Sequence, residues 1–306
     1  MIVQVIAAVL LAATPVHADA KVTWTVQPAD GSRWIERTLD PGQKVTEKLA
    51  VRNLGTTDTV FALSAADGYL TGQGHFNMLS SDKKSVDGGT WITVQPSVAV
   101  PAGQTRVVPF TITAPAGATP GDHPAGIAAS VLSSSGTVQV ESRVGFRVML
   151  RASGTVRAAL AAQRVTVHYE RSWNPLRSGT VHVTYTVANT GNVRADARAS
   201  VSVAELFGAH HRDGGAAAGE LLPGGTRPAD GRVHGVWGLG PVHAKILLSP
   251  ADPAGPADVT VWVVPWPQLF AVALLVALVL VLRARRRRFA RLLEEARRES
   301  RKDRHQ

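Results

Sequence analysis

Asp122 and His123 are the residues best suited to catalysis, since they place a carboxylate beside an imidazole. Adjacent side chains on an extended chain point to opposite faces, so this pair cannot act as a relay. We interpret both as a polar turn before a strand that starts near Gly126. The sequence contains no serine-nucleophile elbow, no H-E-x-x-H motif and no phosphate-binding glycine loop that leads into a helix. It therefore predicts a protein that is not an enzyme.

Metal ligands are also sparse. His210, His211 and Asp213 offer side chains that bind metals, but adjacent histidines diverge, and the sequence favours a solvated loop there. Asp82 and Asp87 lack the dense carboxylate spacing of calcium loops and are interpreted as a surface turn. The chain has no cysteine, which excludes thiolate catalysis, cysteine-ligated zinc and lipobox anchoring. We predict no metal and no cofactor.

Glycan binding needs exposed aromatic faces together with side chains that form hydrogen bonds. Two short regions combine these types, and they supply the candidate ligand-binding residues Arg33, Trp34, Tyr69, His75 and Phe76. Trp24 and Trp91 are expected in a hydrophobic core instead. Core packing is an open alternative for Phe76, and capping of a core edge is one for Tyr69.

The elements that must position these residues are strands. Short alternating runs such as Lys44–Val51 and Arg106–Ile112 are separated by Pro/Gly turn signals, the pattern of an immunoglobulin-like β-sandwich. Val51 to Gly55 and Val187 to Gly191 share the pattern V-x-N-x-G, which we interpret as the same strand exit, with Asn and Gly tolerating positive φ. We predict an all-β fold of two tandem sandwiches, residues 21–153 and 154–262. The Gly/Ala/Pro-rich stretch 208–231 is expected to be a long flexible hairpin loop.

The end of the chain predicts membrane insertion. Residues 263–282 are apolar and uncharged over roughly 20 residues, about the thickness of a bilayer core. The alternative is a buried core helix, but no polar face is visible. The arginine-rich block Arg283–Arg288 follows directly, which places the tail 283–306 in the cytoplasm under the positive-inside rule. Residues 1–20 are predicted to be a signal peptide with an A-x-A cleavage pattern; uncleaved anchoring is the alternative.

The positive charge is concentrated in this tail. The chain carries a formal net charge of +10, and residues 283–306 contain eleven Arg or Lys against four Asp or Glu. The remainder is close to neutral and does not indicate nucleic acid as a partner. The tail is expected to face anionic inner-leaflet lipid, with binding of DNA or protein as the alternative. The predicted location is therefore the plasma membrane, single-pass, with the N-terminal domains outside.

An ordered set of motifs between about residues 21 and 150 adds a family resemblance. It comprises Trp24–Pro28, Leu39–Gly42, Val51–Asn53, Phe61–Gly68, Trp91-Ile92, Phe110–Pro115 and Pro120–Ile127. In these motifs the first module resembles the peptidoglycan-binding domain of WxL-interacting proteins, in a variant from high-GC Gram-positive bacteria. The resemblance implies a membrane-anchored cell-surface protein whose first sandwich binds cell-wall peptidoglycan. The second module departs from the family's host-binding domain, so no partner is carried over for it.

Two other functions stay open at this stage. The main alternative is a protein–protein adaptor that binds other surface proteins through its sandwich edge strands. A hydrolase acting on wall polymers is the third class.

Overall fold

The computed structural model describes residues 23–135, 138–208, 210–250 and 255–302. The predicted signal peptide lies outside these residues. The chain divides into two compact units. The first contains the described residues up to Tyr69 and then Phe76–Gly154, and the second contains Leu70–His75 and the residues from Thr155 onward. Each unit holds one sandwich, and the long apolar helix belongs to the second.

The first sandwich consists of ten strands in two facing sheets. Its strands are β1 Trp24–Pro28, β2 Ile35–Leu39, β3 Lys44–Asn53, β4 Thr59–Leu70, β5 Phe76–Met78, β6 Ile92–Val94, β7 Ser97–Val100, β8 Thr105–Thr113, β9 Gly121–Ser135 and β10 Val138–Ala152. One sheet has the order β1-β3-β8-β6. The other has the order β2-β10-β9-β4-β5, with β7 also paired to β4. A 3₁₀ turn, Gly88–Trp91, precedes β6.

The core of the first sandwich lies between these sheets. Alternate residues of each strand point inward, so Leu49 and Val51 of β3 meet Phe61 of β4 and Ile127 of β9 in one buried cluster. Each such side chain stabilises the fold by about 1.5–3 kcal/mol on burial. Trp91 is buried there as well, and Trp24 packs against the cluster, as the sequence predicted.

The second sandwich consists of seven strands: β11 Leu160–Glu170, β12 Gly179–Asn189, β13 Ala195–Glu205, β14 His210–Leu221, β15 Thr226–Val236, β16 Gly240–Ser249 and β17 Ala257–Val263. They form a three-stranded sheet, β11-β12-β15, and a four-stranded sheet, β14-β13-β16-β17. A short 3₁₀ turn, Leu206–Gly208, joins β13 to β14. The predicted fold class, two immunoglobulin-like sandwiches with a C-terminal apolar helix, is confirmed.

The predicted flexible loop at residues 208–231 is wrong. β14 and most of β15 occupy this stretch, and β14 pairs with β13 along its whole length. Its glycines serve close packing as well as turns: a Cβ on Gly214 would lie 2.7 Å from the carbonyl oxygen of Arg232. Small residues therefore let two strands approach closely at a position where composition alone indicated a loop.

One helix ends the described chain. Helix α1 spans Trp266–Lys302, and its portion Trp266–Phe289 is long and apolar enough to cross a membrane. None of that apolar segment is buried against the protein, which argues against the buried core helix. The helix starts three residues later than predicted, because Val263 is the last residue of β17 and packs in the second core.

Candidate functional site

A cleft of about 590 Å³ opens on the outer face of the six-stranded sheet in the first sandwich. Its floor comes from β9 and β10, where Ala128 and Gly145 leave room because they carry little or no side chain. Ala128 belongs to a small second cluster with Ala66 and Met78, separate from the main core. The complete lining is Tyr69, Phe76, Asn77, Met78, Leu79, Ser80, Lys83, Ala128, Arg143, Gly145, Phe146 and Arg147.

The covering segment after β5 is held over the sheet by side chains of β10. Arg143 donates from Nη2 to the carbonyl oxygen of Leu79 at 2.8 Å. Ser81 donates from its hydroxyl to Glu141 at 2.6 Å. At the cleft wall, a Cβ on Gly68 would lie 2.5 Å from the ring of Phe76, so glycine is what permits this ring to pack on β4. These contacts fix the covering segment and the wall of the cleft, so the shape of the cleft is set by the fold.

All the charged side chains that line the cleft are positive. Lys83, Arg143 and Arg147 all line it, and the lining includes no Asp or Glu. The guanidinium of Arg147 lies 5.4 Å from the centre of the Phe76 ring, a cation–π distance. Aromatic rings beside guanidinium groups suit a ligand that has both a flat apolar part and a carboxylate or phosphate.

Two of the five predicted ligand-binding residues share this cleft. Tyr69, which is 41% exposed, and Phe76 both line it. His75 lies in the turn between β4 and β5 and does not line it. Arg33 stacks on Trp34 at 5.5 Å just before β2, at the opposite edge of the sheet from β5. The two short regions named from the sequence therefore lie at opposite edges of one sheet and do not form a common site.

The cationic residues of the cleft were missed by the sequence argument. Arg143, Gly145 and Arg147 are spaced two apart on β10, so their side chains share the outer face of the strand. That alternation, read as R-x-G-x-R within a strand, was the available signal.

Asp122 and His123 do not form a turn, because both lie inside β9. Their side chains diverge as predicted. Asp122 accepts a hydrogen bond from Nε of Arg151 at 2.5 Å. His123 contacts Asp87 through Nδ1 and the carbonyl oxygen of Thr119 through Nε2, at 2.8 Å. With both ring nitrogens engaged, His123 fixes the chain around Asp87 instead of serving as a free base.

The same region is tied down by Asp67. Its carboxylate accepts hydrogen bonds from the backbone N–H groups of Val86 and Gly89, both at 2.7 Å, and of Asp87. The ring of Trp91 lies 4.4 Å from that of His123. Burial lowers the pKa of His123, but its hydrogen bonds to Asp87 and Thr119 and the charges of Asp87 and Asp122 outweigh this, so the pKa is raised.

Of the candidate metal ligands, Asp82 and Asp87 lie outside the strands, as the sequence indicated, whereas the two histidines and Asp213 lie on one. His210, His211 and Asp213 belong to β14 and form no loop. Nδ1 of His210 lies 3.4 Å from buried Glu205, which already accepts hydrogen bonds from the backbone of Trp237 and Gly238. Among the described residues, no three of His, Asp and Glu come together as a metal site.

A second surface feature is the hairpin arm, residues 131–135 and 138–142. β9 and β10 pair with each other along their whole length, from Gly121 opposite Ala152 to Ser135 opposite Val138. The pairing of β4 with β9 ends where Ala62 lies opposite Ser130. The pairing of β2 with β10 covers only residues Val148 to Ala152 of β10. Within the described residues, the two strands of the arm therefore pair only with each other. Leu132 is 67% exposed and Val140 is 48% exposed.

Comparison with known proteins adds little beyond the fold. No family model and no curated protein matches this sequence. Among solved structures, a chaperone–tip adhesin complex of CFA/I fimbriae biogenesis is 10% identical, with 78% of this chain and 98% of that chain covered and a TM-score of 0.38. The class 5 fimbriae chaperone CfaA is 12% identical, with 79% and 100% covered and a TM-score of 0.35. The E. coli chaperone DraB is 13% identical, with 79% and 98% covered and a TM-score of 0.35.

These likenesses are too distant to carry an argument about what the chain binds, and the fold rests on its own sheets. The resemblance to WxL-interacting proteins stays a hypothesis.

Proposed function

We propose that this chain is a membrane-anchored, non-enzymatic surface protein that binds another polypeptide by strand addition at the hairpin arm. The arm carries the proposal. Its outer edges have backbone N–H and C=O groups without a ladder partner among the described residues, and such edges are templates for pairing with another chain. Exposed Leu132 and Val140 supply apolar contacts for the side chains of an added strand.

The proposed orientation places both sandwiches outside the membrane. The apolar part of α1 up to Leu282 is followed without a break by the block Arg283–Arg288, and a block of arginines favours the cytoplasmic side. The arm would then be available to other exported chains.

Site-specific photo-cross-linking in intact cells tests this proposal. A photoreactive residue at Gln139, on the arm, should give a covalent adduct with a second polypeptide. The same residue at exposed Arg106, on β8 of the other sheet, is the matched control and should give none. Digestion of the cell wall should leave the adduct unchanged.

Charge on the arm should then weaken the adduct. We expect Leu132→Lys with Val140→Lys to lower its yield about tenfold, equivalent to about 1.4 kcal/mol of binding free energy. Val107→Lys, at a site 56% exposed on β8, should have no effect. Strand addition at the arm would be refuted by equal adduct yields at positions 139 and 106. It would also be refuted if the two lysine substitutions left the yield at position 139 unchanged.

Peptidoglycan binding by the first sandwich is the second candidate, favoured by the cleft that Tyr69 and Phe76 share. Sugar rings stack on aromatic faces, and carboxylates of the stem peptides would pair with Arg143 and Arg147. Co-sedimentation of the full chain with insoluble cell wall tests it. Tyr69→Ala should reduce recovery, whereas Trp34→Ala, equally exposed at 40% but outside the cleft, should not. Recovery that is the same for both variants would count against the cleft.

A further inference from the structure

Three connections of the second sandwich lie at the end from which α1 leaves. Glu170 pairs with Thr180, which places the connection 171–178 at this end. Gly240 pairs with Val263, which places the connection 237–239 beside the exit of β17. The turn 206–208 lies at the same end. The residue before it, Glu205, accepts hydrogen bonds from the backbone N–H groups of Trp237 and Gly238 in the connection 237–239.

This end exposes large apolar side chains. Trp173 is 83% exposed, Leu176 is 84% exposed and Leu206 is 41% exposed. Trp262, which precedes the last residue of β17, is 74% exposed. Contact of two tryptophans and two leucines with water is unfavourable. A group of large exposed apolar side chains at one end of a domain therefore marks an interaction surface.

The connection 171–178 holds its apolar residues outward in a fixed turn. Asn174 accepts a hydrogen bond from the backbone N–H of Leu176 at 2.9 Å through its side chain, and from that of Arg177 at 3.0 Å through its carbonyl oxygen. Ser172 accepts from the backbone N–H of Asn174 at 3.2 Å. Arg171 and Arg177 flank the turn and are exposed. Two cations thus border the two apolar tips.

The distance to the membrane follows from the chain itself. Only Val264 and Pro265 separate the end of β17 from the first residue of α1. Three residue steps span at most about 11 Å. The polar layer on each side of the hydrocarbon core is roughly 5–7 Å thick. The apolar end therefore lies within reach of the lipid headgroups once α1 crosses the bilayer.

We propose that Trp173, Leu176, Leu206 and Trp262 form an apolar collar that inserts into the headgroup region of the outer leaflet. Arg171 and Arg177 lie against lipid phosphates, and aromatic residues occupy the level that tryptophan prefers at membrane interfaces. The inference rests on the proposed membrane anchoring, but not on strand addition at the arm. It makes the second sandwich a base that is held on the lipid surface.

Cysteine scanning tests the collar, since the full chain contains no cysteine. The variants Leu176→Cys and Trp173→Cys are each labelled with an environment-sensitive fluorophore and reconstituted in vesicles of phosphatidylcholine and phosphatidylglycerol. Val156→Cys, whose parent residue is 53% exposed before the first strand of this sandwich, is the control. We expect blue-shifted emission at 173 and 176 that spin-labelled lipids quench and aqueous iodide does not. At 156 we expect the reverse.

Two outcomes would overturn the inference separately. If the labelled chain does not float with the vesicles, membrane anchoring fails and the collar fails with it. If the chain floats but iodide quenches positions 173 and 176 as strongly as 156, anchoring stands and the collar alone is refuted. Agreement of the two collar positions guards against a local disturbance by either substitution.

Discussion

Asn53 and Asn189 make the same hydrogen bonds in the two sandwiches. Each donates from Nδ2 to a carbonyl oxygen four residues on and to one on a distant strand, at 2.8 and 3.0 Å. Each accepts at Oδ1 from the backbone N–H of the glycine two residues on, at 2.9 Å. Both side chains are almost completely buried. The asparagine therefore joins the end of one strand to the end of another.

Replacing either asparagine by alanine should destabilise the protein. Asn53→Ala and Asn189→Ala each leave two carbonyl oxygens and one N–H, all at least partly shielded by the buried asparagine, without this partner, and we expect a loss of about 2–3 kcal/mol in unfolding free energy. Chemical denaturation of the detergent-solubilised chain measures it. Gln104→Ala, at an exposed site, should change stability by less than about 0.5 kcal/mol. A small effect for both asparagines would contradict their proposed role.

His123 makes the stability of the first sandwich depend on pH. Its partners at Nδ1 and Nε2, the carboxylate of Asp87 and the carbonyl of Thr119, are both acceptors, so both contacts are hydrogen bonds only in the protonated ring. The raised pKa of His123 agrees with this geometry. The stability that it contributes is fully present below the unfolded pKa of 6.5 and is lost as pH rises through the folded pKa.

We therefore expect the unfolding midpoint of the first sandwich to fall as the pH is raised from 6 to 9, and less so in His123→Gln. The difference between the two pH profiles isolates His123 from the other histidines. Profiles that run parallel over this range would show that folding leaves the pKa of His123 unchanged, which would contradict the raised pKa.

Local sequence reasoning reached part of the candidate site and missed the rest for a definite reason. The divergence of Asp122 and His123 followed from strand geometry alone. Tyr69 and Phe76 were named from residue type, but Arg143 and Arg147 come from β10, far along the chain. Their place opposite β5 depends on the strand order of the sheet, which no local pattern specifies.

At the scale of elements, the V-x-N-x-G repeat indicated equivalent strands, but for a different reason than the one proposed. Neither Asn53 nor Asn189 has a positive φ. At Gly191 the requirement is space, since a Cβ would lie 2.2 Å from the carbonyl oxygen of Arg157. The equivalence extends further: Trp24 pairs with Asn53 as Leu160 pairs with Asn189. The pattern was correct, and the buried side-chain contacts behind it were visible only in three dimensions.

The strand β14 shows the opposite case. Its run of Gly and Ala lacks the alternation that marks a strand, because its stability comes from pairing with β13 from His210 to Leu221, interrupted only by one bulge. Such pairing is a property of the partner strand as much as of β14 itself.

The hairpin arm should be dispensable for folding. Replacing residues 132–141 by Asn-Gly keeps Val131, which packs against the core, and removes Leu132 and Val140, which are exposed. We expect the unfolding free energy to change by less than about 1 kcal/mol, measured by chemical denaturation, because few core contacts are lost. The same variant should lose the cross-linked partner. A severe loss of stability would assign the arm a structural role.

At the scale of the whole molecule, two sandwiches of similar construction precede one apolar helix that continues into a basic segment. The helix was predictable because hydrophobic length and flanking arginines are read directly from the chain. The proposed functions all depend on one topology, with both sandwiches outside the membrane and the residues after Leu282 inside.

Labelling of single cysteines on intact protoplasts tests this topology most directly. Val107→Cys lies on the exposed face of β8, and Arg287→Cys lies beyond the apolar part of the helix. We predict that a membrane-impermeant maleimide labels position 107 on intact protoplasts and labels position 287 only after lysis. Labelling of position 287 on intact protoplasts, with position 107 protected until lysis, would contradict the account.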